Sequence, residues 1–371
     1  ELLQDGVKAS PDSEALNYAT LARTEAGGIH FSLPDGSERS FRPRIVVNAA
    51  GPWIDRVNEA LGAPSRLIGG TKGSHILLDH PDLLRALNGR MIYFEANDGR
   101  ICLVFDYLGR ALVGSTDIRA DDPDAVRCED DEINYFLESL RELFPGLSFE
   151  RKQIVYAYSG IRPLPASDGT APGLISRDHS APITEPGEGR PWPIISLVGG
   201  KWTTFRGFAE EVADMLLSRL GRTRRISTRD LPIGGGRDFP AEEASRKRWV
   251  EDVAQETGLP RHRVELLLDR YGTSARTILA YEAERGAEML LDAPDYSIAE
   301  IEWLARNEQV VHLADLVLRR TTLAITGRLS RRDLECMADV VAGAFGWSQP
   351  RREAELEATR NELSERHRLR C

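Results

Sequence analysis

The sequence predicts a mixed fold of the α+β and α/β classes, followed by a separate all-helical domain. Three features of its 371 residues support this prediction. Residues 45–51 read as a buried strand that runs into a turn of small residues, and residues 68–116 contain strand-like runs separated by turn signals. Residues 241–341 are rich in Ala, Glu, Arg and Leu at helical spacing. The first two features predict sheets, and the third predicts a helical domain.

The amino-terminal region predicts hairpins and then a strand-to-helix turn. Residues 15–42 alternate in polarity and are broken at 26–28 and 34–36, which are typical of hairpin turns. After the apolar run at 45–48, Pro52 follows Gly51, and its fixed φ suits the first turn of a helix. We predict that helix over residues 53–61.

The next region predicts an antiparallel sheet, since short apolar runs alternate with turns such as Asn97-Asp98-Gly99. Its strands are predicted at residues 74–78, 91–94, 100–105 and 111–114. A helix is predicted over 130–143, because its apolar residues keep helical period and Pro145-Gly146 ends it. Strands and long turns return over 154–206, and a second helix is predicted over 208–220.

Composition limits the classes of function. A formal net charge of −10 argues against a general nucleic-acid binder, which needs excess positive charge. No apolar run approaches the ~18–20 residues of a membrane span, and no cleavable signal is visible. The cysteines and histidines are scattered without ligand spacing, so we expect no bound metal, no disulfide framework and a reducing cytosolic setting.

Two arginines are candidates for binding an anion. Arg162 precedes Pro163, which holds its backbone outside the helical region. Arg177 follows fifteen residues later, at a predicted strand end. Two arginines on one sheet edge can hold a phosphate dianion through forked hydrogen bonds. Each could instead be a surface arginine paired with a neighbouring Asp, which is a common and weak arrangement.

A glycine pair at a strand-to-helix turn is a candidate for contact with a flat ligand. Gly199 and Gly200 let backbone amides approach closely, and the following helix start offers N–H groups and a positive dipole. Lys201 could add a positive charge there or reach a substrate. The alternative is an ordinary strand-to-helix turn with an exposed lysine.

Two further positions have chemical potential. His75 stands at the entry to a strand and could act as a general base, because the ordinary pKa of histidine lies near neutrality. It could equally be a partly buried structural histidine. Ala50 and Gly51 follow a strand, and such small residues let a nucleotide lie against the backbone. They are also compatible with a close-packed turn.

The order of these segments is more specific than any one of them. NAAGPW, KGSHI, LVGSTD, YSGIRPL, SRD and GGKWTTFR, in this succession, resemble the FAD-dependent glycerol-3-phosphate dehydrogenases of the D-amino-acid-oxidase-like superfamily. The resemblance runs from about residue 15 to 220 and continues into the helical region at 302–328. It implies oxidation of sn-glycerol 3-phosphate to dihydroxyacetone phosphate with FAD as cofactor, and transfer of the electrons to ubiquinone.

The resemblance also implies roles for individual residues. Arg162 and Arg177 match arginines at the substrate phosphate, and His75 matches a histidine that takes the C2 hydroxyl proton. Lys201 matches a lysine beside substrate and flavin. The positions that match the flavin and nucleotide contacts are Gly199, Gly200, Thr203, Thr204, Ala50 and Gly51.

The implied architecture is an incomplete FAD-binding domain with an antiparallel-sheet substrate domain and a carboxyl-terminal all-helical domain. We predict the remainder of the FAD-binding domain at 1–65, the sheet domain at 66–157, an active-site return segment at 158–222, a linker at 223–240 and the helical domain at 241–371.

The acceptor and the partners stay open at this stage. An oxidase that uses oxygen would share the same scaffold, and a non-catalytic helical interaction module is a reading of a different class. Members linked to quinone are peripheral membrane proteins, so we expect a cytoplasmic protein that can lie on the inner face of the membrane. A basic cluster could contact anionic lipid there, or could be a solvated surface: Arg219, Arg222, Arg224, Arg225 and Arg229. The sequence leaves open whether the protein forms a homodimer.

One expectation concerns the cofactor. The resembled family opens with a strand–GxGxxG–helix unit that holds the FAD pyrophosphate, and these 371 residues contain no such unit. We therefore expect this polypeptide alone to bind FAD weakly or not at all. Absorbance spectroscopy after desalting tests this, and a retained flavin band would contradict it.

Overall fold

The computed structural model describes residues 1–167, 175–199 and 201–371. The strands are β1 (Thr20–Glu25), β2 (Gly28–Ser32), β3 (Glu38–Phe41), β4 (Val46–Asn48), β5 (Thr71–Leu78), β6 (Ile92–Glu95), β7 (Ile101–Tyr107), β8 (Arg110–Gly114), β9 (Ile118–Arg119), β10 (Ile154–Arg162), β11 (Ile183–Thr184) and β12 (Ile194–Ser196). The α-helices are α1 (Leu2–Ala9), α2 (Ile54–Ala60), α3 (Pro81–Leu87), α4 (Asp130–Leu143), α5 (Phe205–Arg219), α6 (Glu243–Thr257), α7 (Arg261–Tyr271), α8 (Ala275–Arg285), α9 (Ile298–Asn307), α10 (Leu313–Asp315), α11 (Arg331–Phe345) and α12 (Gln349–His367).

The central sheet has the strand order β10-β5-β8-β7-β6, and β9 also pairs with β5. These neighbours are all antiparallel, as the sequence predicts. Successive residues of β5 point to opposite faces. Ile76 and Leu78 pack into a core with α3 and α4, whereas Leu77 packs into the core of the helical domain. The sheet is therefore covered on both faces, and β5 is its best protected strand.

The chain also forms two smaller sheets. β1, β2 and β3 form an antiparallel meander, and its turns use Gly27 and Gly36 at positive φ, as predicted for hairpins. In the third sheet β11 pairs antiparallel with β12, and β12 pairs parallel with β4. The parallel pair brings two strand ends, from distant parts of the chain, to one edge.

The predicted helices exist, with shifted ends. α4 spans the predicted 130–143, and a capping box between Glu129 and Glu132 fixes its start. α2 begins one residue late, because residues 51–53 form a 3-10 turn first. α5 begins three residues before the predicted 208, since its first turn contains Phe205 and Arg206, which are not part of the apolar stripe.

The helical domain is built on a buried ionic network. The Arg263 guanidinium contacts the Glu282 and Glu300 carboxylates, both at 2.7 Å, and these three side chains are almost fully buried. Ser297 and Tyr271 donate further hydrogen bonds to these carboxylates. Buried charges are tolerated when they are paired in this way. None of the helices in the described ranges is long and apolar enough to span a bilayer.

Candidate active site

The carboxyl ends of the parallel strands β4 and β12 form the first part of the site. Leu197 N donates to Asn48 O at 2.9 Å, so the segments that leave the two strands run side by side. The buried Asn48 side chain shapes the turn: its Oδ1 accepts from Ala50 N, and its Nδ2 donates to Ile54 O. Gly51 has φ +57, and no atom lies within 4 Å of where its Cβ would be. Its backbone therefore faces open space at the edge where α/β sheets bind ligands.

Gly199 joins this edge to the two arginine segments. Its N–H donates to Pro163 O at 3.0 Å, directly after Arg162. A Cβ on Gly199 would lie 2.5 Å from Asp178 O, directly after Arg177, and the residue has φ +72. Any other residue would push these segments apart. The structure thus brings together three segments that the sequence places far apart. The predicted contact residue Gly200 lies outside the described residues.

Lys201, Thr203 and Thr204 are exposed beside this junction. Residues 202–204 form a 3-10 turn that leads into α5. The Thr204 hydroxyl donates to Lys201 O at 3.0 Å and so closes the turn. Trp202 is 95% exposed, which makes this turn an open surface. The amino end of a helix offers partial positive charge toward that surface.

The Arg162 guanidinium is held in a polar cage. Its Nη2 donates to Ser115 Oγ at 2.8 Å and to the Thr116 carbonyl at 3.1 Å, and its Nη1 lies 3.3 Å from Asp117 Oδ1. It lies against Gly73 so closely that any Cβ there would collide with it. The cage fixes the plane of the guanidinium. The backbone of Arg162 is itself restricted by Pro163, as the sequence predicts.

The positive charge of Arg177 acts on the guanidinium of Arg162. Burial lowers the pKa of Arg162, Asp117 opposes that effect, and the positive charge of Arg177 lowers the pKa further. Arg177 itself is exposed, and no carboxylate of the described residues lies within ion-pair distance of it. The pairing of Arg177 with a neighbouring Asp, which the sequence left open, does not occur in those residues. Asp117 already pairs with Arg162, and Arg177 adds a second positive charge that acts on the same guanidinium.

His75 lies on the neighbouring strand, largely buried. Its ring stacks on Tyr158 at 4.8 Å between centroids and 6° between planes, and Gly114 leaves room for it on the other strand. Its Nδ1 is buried without a hydrogen-bond partner among the described residues. Burial, and secondly the charge of Arg162, lower the pKa of His75 to about 4. The ring is therefore neutral at pH 7 and can accept a proton, although its pKa lies below the near-neutral value assumed from the sequence.

Several residues of this arrangement were missed by sequence reasoning. Ser115, Thr116 and Asp117 form the cage, and Gly73 and Tyr158 pack against the two candidate groups. They belong to the segments LVGSTD, KGSHI and YSGIRPL, in which the sequence analysis singled out only His75 and Arg162. A cavity of about 1160 Å³ lies elsewhere, between α1 and the helical domain, and Trp249 and Trp303 line it. The candidate site is instead an open edge.

Comparison with protein families gives two matches. Residues 2–215 match the family described as FAD dependent oxidoreductase. Residues 226–352 match the C-terminal domain of alpha-glycerophosphate oxidase.

Three curated relatives illustrate the similarity. A glycerol-3-phosphate dehydrogenase of Synechocystis is 31% identical over 84% of this chain and 57% of its own length. A D-erythritol 1-phosphate dehydrogenase of Brucella abortus is 30% identical over 81% of this chain and 59% of its own length. An aerobic glycerol-3-phosphate dehydrogenase of Bacillus subtilis is 26% identical over 94% and 64%. The chain thus spans less than two thirds of the length of these relatives.

A solved structure shares the fold. The glycerol-3-phosphate dehydrogenase from Bacillus halodurans, solved with FAD, superposes with a TM-score of 0.78 at 22% identity. The match covers 94% of this chain and 69% of that protein. The mixed sheet architecture and the helical domain are therefore shared with that structure.

The buried His75 should make folding sensitive to acid. Its pKa is about 4 in the folded chain against an ordinary 6.5, so between these values the unfolded chain binds more protons. The free energy of unfolding should therefore fall as the pH drops from 6.5 toward 4. His75→Gln should flatten this dependence in urea titrations across that range. The matched control is His262→Gln, at an exposed position of α7. A variant H75Q with the slope of the wild type would show that His75 is not buried in its neutral form.

Proposed function

The chain belongs to the FAD-dependent oxidoreductase family, and we propose that it provides the substrate side and the flavin-ring side of an enzyme that oxidises sn-glycerol 3-phosphate to dihydroxyacetone phosphate. The observation that carries this proposal is that Gly199 joins the segments of Arg162 and Arg177, with the half-buried His75 on the neighbouring strand. The names of the relatives, which are dehydrogenases of small polyol phosphates, support it.

The two arginines would hold the substrate phosphate. Their mutual repulsion is relieved when a dianion lies between them, and a guanidinium can bind phosphate through two parallel hydrogen bonds. Arg162 is the rigid member, because its cage fixes its plane. Arg177 is exposed and free of any described ion pair, so it can close on the phosphate from the other side. Fixing the phosphate fixes the distance to the carbon that is oxidised, and such positioning supplies much of the rate.

His75 would accept the proton of the C2 hydroxyl. It lies near Arg162, as the effect of that charge on its pKa shows. A neutral imidazole with a free ring nitrogen can take the proton as the C2–H bond breaks. Its stacking on Tyr158 holds the ring in one orientation. Burial is the larger cause of the low pKa of His75, and a substrate anion would offset only the smaller effect, that of the Arg162 charge.

The flavin contacts would come from the strand ends. FAD, when bound, supplies the two-electron acceptor. The residues present fit a flat ring system: Gly51 exposes backbone at the edge, Gly199 lets the neighbouring segments approach it closely, and the start of α5 with Lys201 would direct positive charge toward it. The contacts that we assign to the cofactor are Ala50, Gly51, Gly199, Gly200, Lys201, Thr203 and Thr204. The domain boundaries predicted from the sequence are also part of this proposal.

Ubiquinone is the acceptor that we propose, and oxygen is the alternative, since residues 226–352 match a domain of an oxidase. Production of hydrogen peroxide during turnover would identify the oxidase.

Of the basic cluster near α5, Arg219 and Arg224 are paired with acidic side chains. Arg222, Arg225 and Arg229 are exposed and would contribute ~1 kcal/mol each on an anionic membrane. Co-sedimentation with anionic vesicles that is lost in high salt would support this contact, and absent binding would exclude it.

Replacing Arg162 should weaken the affinity for glycerol 3-phosphate without unfolding the chain. A charge-assisted hydrogen bond contributes ~1.5–3 kcal/mol, so Arg162→Ala should raise the Kd about ten- to hundredfold. The affinity of Arg162→Lys should fall between those of the wild type and Arg162→Ala, because a lysine keeps the charge but loses the forked pair of hydrogen bonds. Isothermal titration calorimetry measures the change.

The control is Arg222→Ala, which removes the same charge from an exposed position after α5. Its affinity should equal that of the wild type. An unchanged affinity in the variant R162A would refute the phosphate clamp. Titration with erythritol 1-phosphate in parallel decides which polyol phosphate the clamp prefers.

A further inference from the structure

A buried ionic cluster lies directly behind the cage of Arg162. The Glu132 carboxylate, on the first turn of α4, is only 3% exposed. Its Oε1 accepts from the Thr116 hydroxyl at 2.7 Å, and its Oε2 accepts from Lys72 Nζ at 2.7 Å. Thr116 is 2% exposed, and its hydroxyl also accepts from Ser74 N at 2.9 Å. Every polar atom of this cluster thus has a partner inside the protein.

The cluster leads to the site through one residue. The side chain of Thr116 binds Glu132, while its main-chain carbonyl accepts from Arg162 Nη2 at 3.1 Å. Lys72 stands beside Gly73, against which the same guanidinium lies. The two walls of the cage, the 115–117 segment and β5, are therefore both tied to the carboxylate of Glu132.

Glu132 has a structural role, since its Oε2 accepts from Glu129 N and caps α4, but a capping box does not need a charge. A buried ion pair stabilises a fold little better than apolar side chains of similar volume, because desolvation offsets the attraction. The hydrogen bonds do fix direction, since the Glu132 carboxylate accepts from Thr116 Oγ1, Lys72 Nζ and Glu129 N. They hold the Thr116 carbonyl at the point where the guanidinium needs an acceptor.

We propose that Glu132 is a positioning residue for substrate binding: through Thr116 it fixes the cage that aims the Arg162 guanidinium at the substrate phosphate. The proposal rests on the proposed function for its substrate. It predicts that disturbing Glu132 or Thr116 changes the orientation of an arginine that neither of these side chains touches with its own polar atoms.

The test uses two measurements on the same variants. Thr116→Val removes the hydroxyl at nearly constant volume, and Thr116→Ser restores it. Glu132→Gln removes the charge, and Glu138→Gln is the matched control at an exposed position of the same helix. The first measurement is the affinity for glycerol 3-phosphate by calorimetry. The second is the rate at which phenylglyoxal modifies Arg162, followed by mass spectrometry, with the melting temperature of each variant recorded in parallel.

We expect T116V and E132Q to bind glycerol 3-phosphate about tenfold more weakly, which corresponds to ~1.4 kcal/mol. They should also expose Arg162 to faster modification. T116S and E138Q should resemble the wild type in both measurements. A lower melting temperature with unchanged affinity and modification rate would mean that the cluster only stabilises the fold, and it would overturn the proposal.

The two hypotheses fail in different ways. If the wild type and R162A bind glycerol 3-phosphate equally poorly, the proposed function fails. The modification rates still decide the positioning claim in that case, because they need no substrate. Equal rates in the wild type, T116V and E132Q would refute it.

Discussion

The antiparallel register between β5 and β10 is the constraint on which the site depends. It sets His75 opposite Tyr158, Gly73 opposite Gly160 and Thr71 opposite Arg162. A slip of one residue would turn every side chain of β5 to the other face and would carry His75 away from Tyr158. Such a slip is strongly disfavoured because both faces of β5 are buried, with Ile76 and Leu78 in one core and Leu77 in the other. The packing of the two cores thereby fixes the relative positions of the candidate site residues on β5 and β10.

The second requirement is a junction between this sheet and the parallel strand pair. Gly199 supplies it, because its N–H binds Pro163 O and its missing side chain admits Asp178. The edge that would receive the flavin ring and the edge that would receive the phosphate therefore meet at one residue. The buried cluster of Glu132 then stiffens the far side of the phosphate edge. In the proposed enzyme, this rigid support would let exposed groups such as Arg177 and Lys201 bind the substrate.

Local pattern was enough to predict much of the fold. The helix at 130–143 follows from its own period and capping residues, and the hairpin turns follow from their glycines. Contacts between residues that are far apart in the sequence could not be predicted from local pattern. Glu132 binds Lys72 across 60 positions, and Arg162 binds Ser115 across 47. The order of the motifs indicated Arg162, Arg177 and His75 as candidates, but only the sheet shows that the cage of Arg162 comes from the 115–117 segment. The low pKa of His75 also depends on burial, which its local sequence does not reveal.

The central claim is that Arg162 and Arg177 bind one and the same phosphate. A double-mutant cycle measures this most directly, with the Kd of glycerol 3-phosphate determined for the wild type, Arg162→Ala, Arg177→Ala and the double variant. If the two guanidinium groups share the dianion, each single change should weaken binding, and the loss in the double variant should differ from the product of the two single losses. An affinity for R177A equal to that of the wild type, or losses that multiply as for independent sites, would contradict the account.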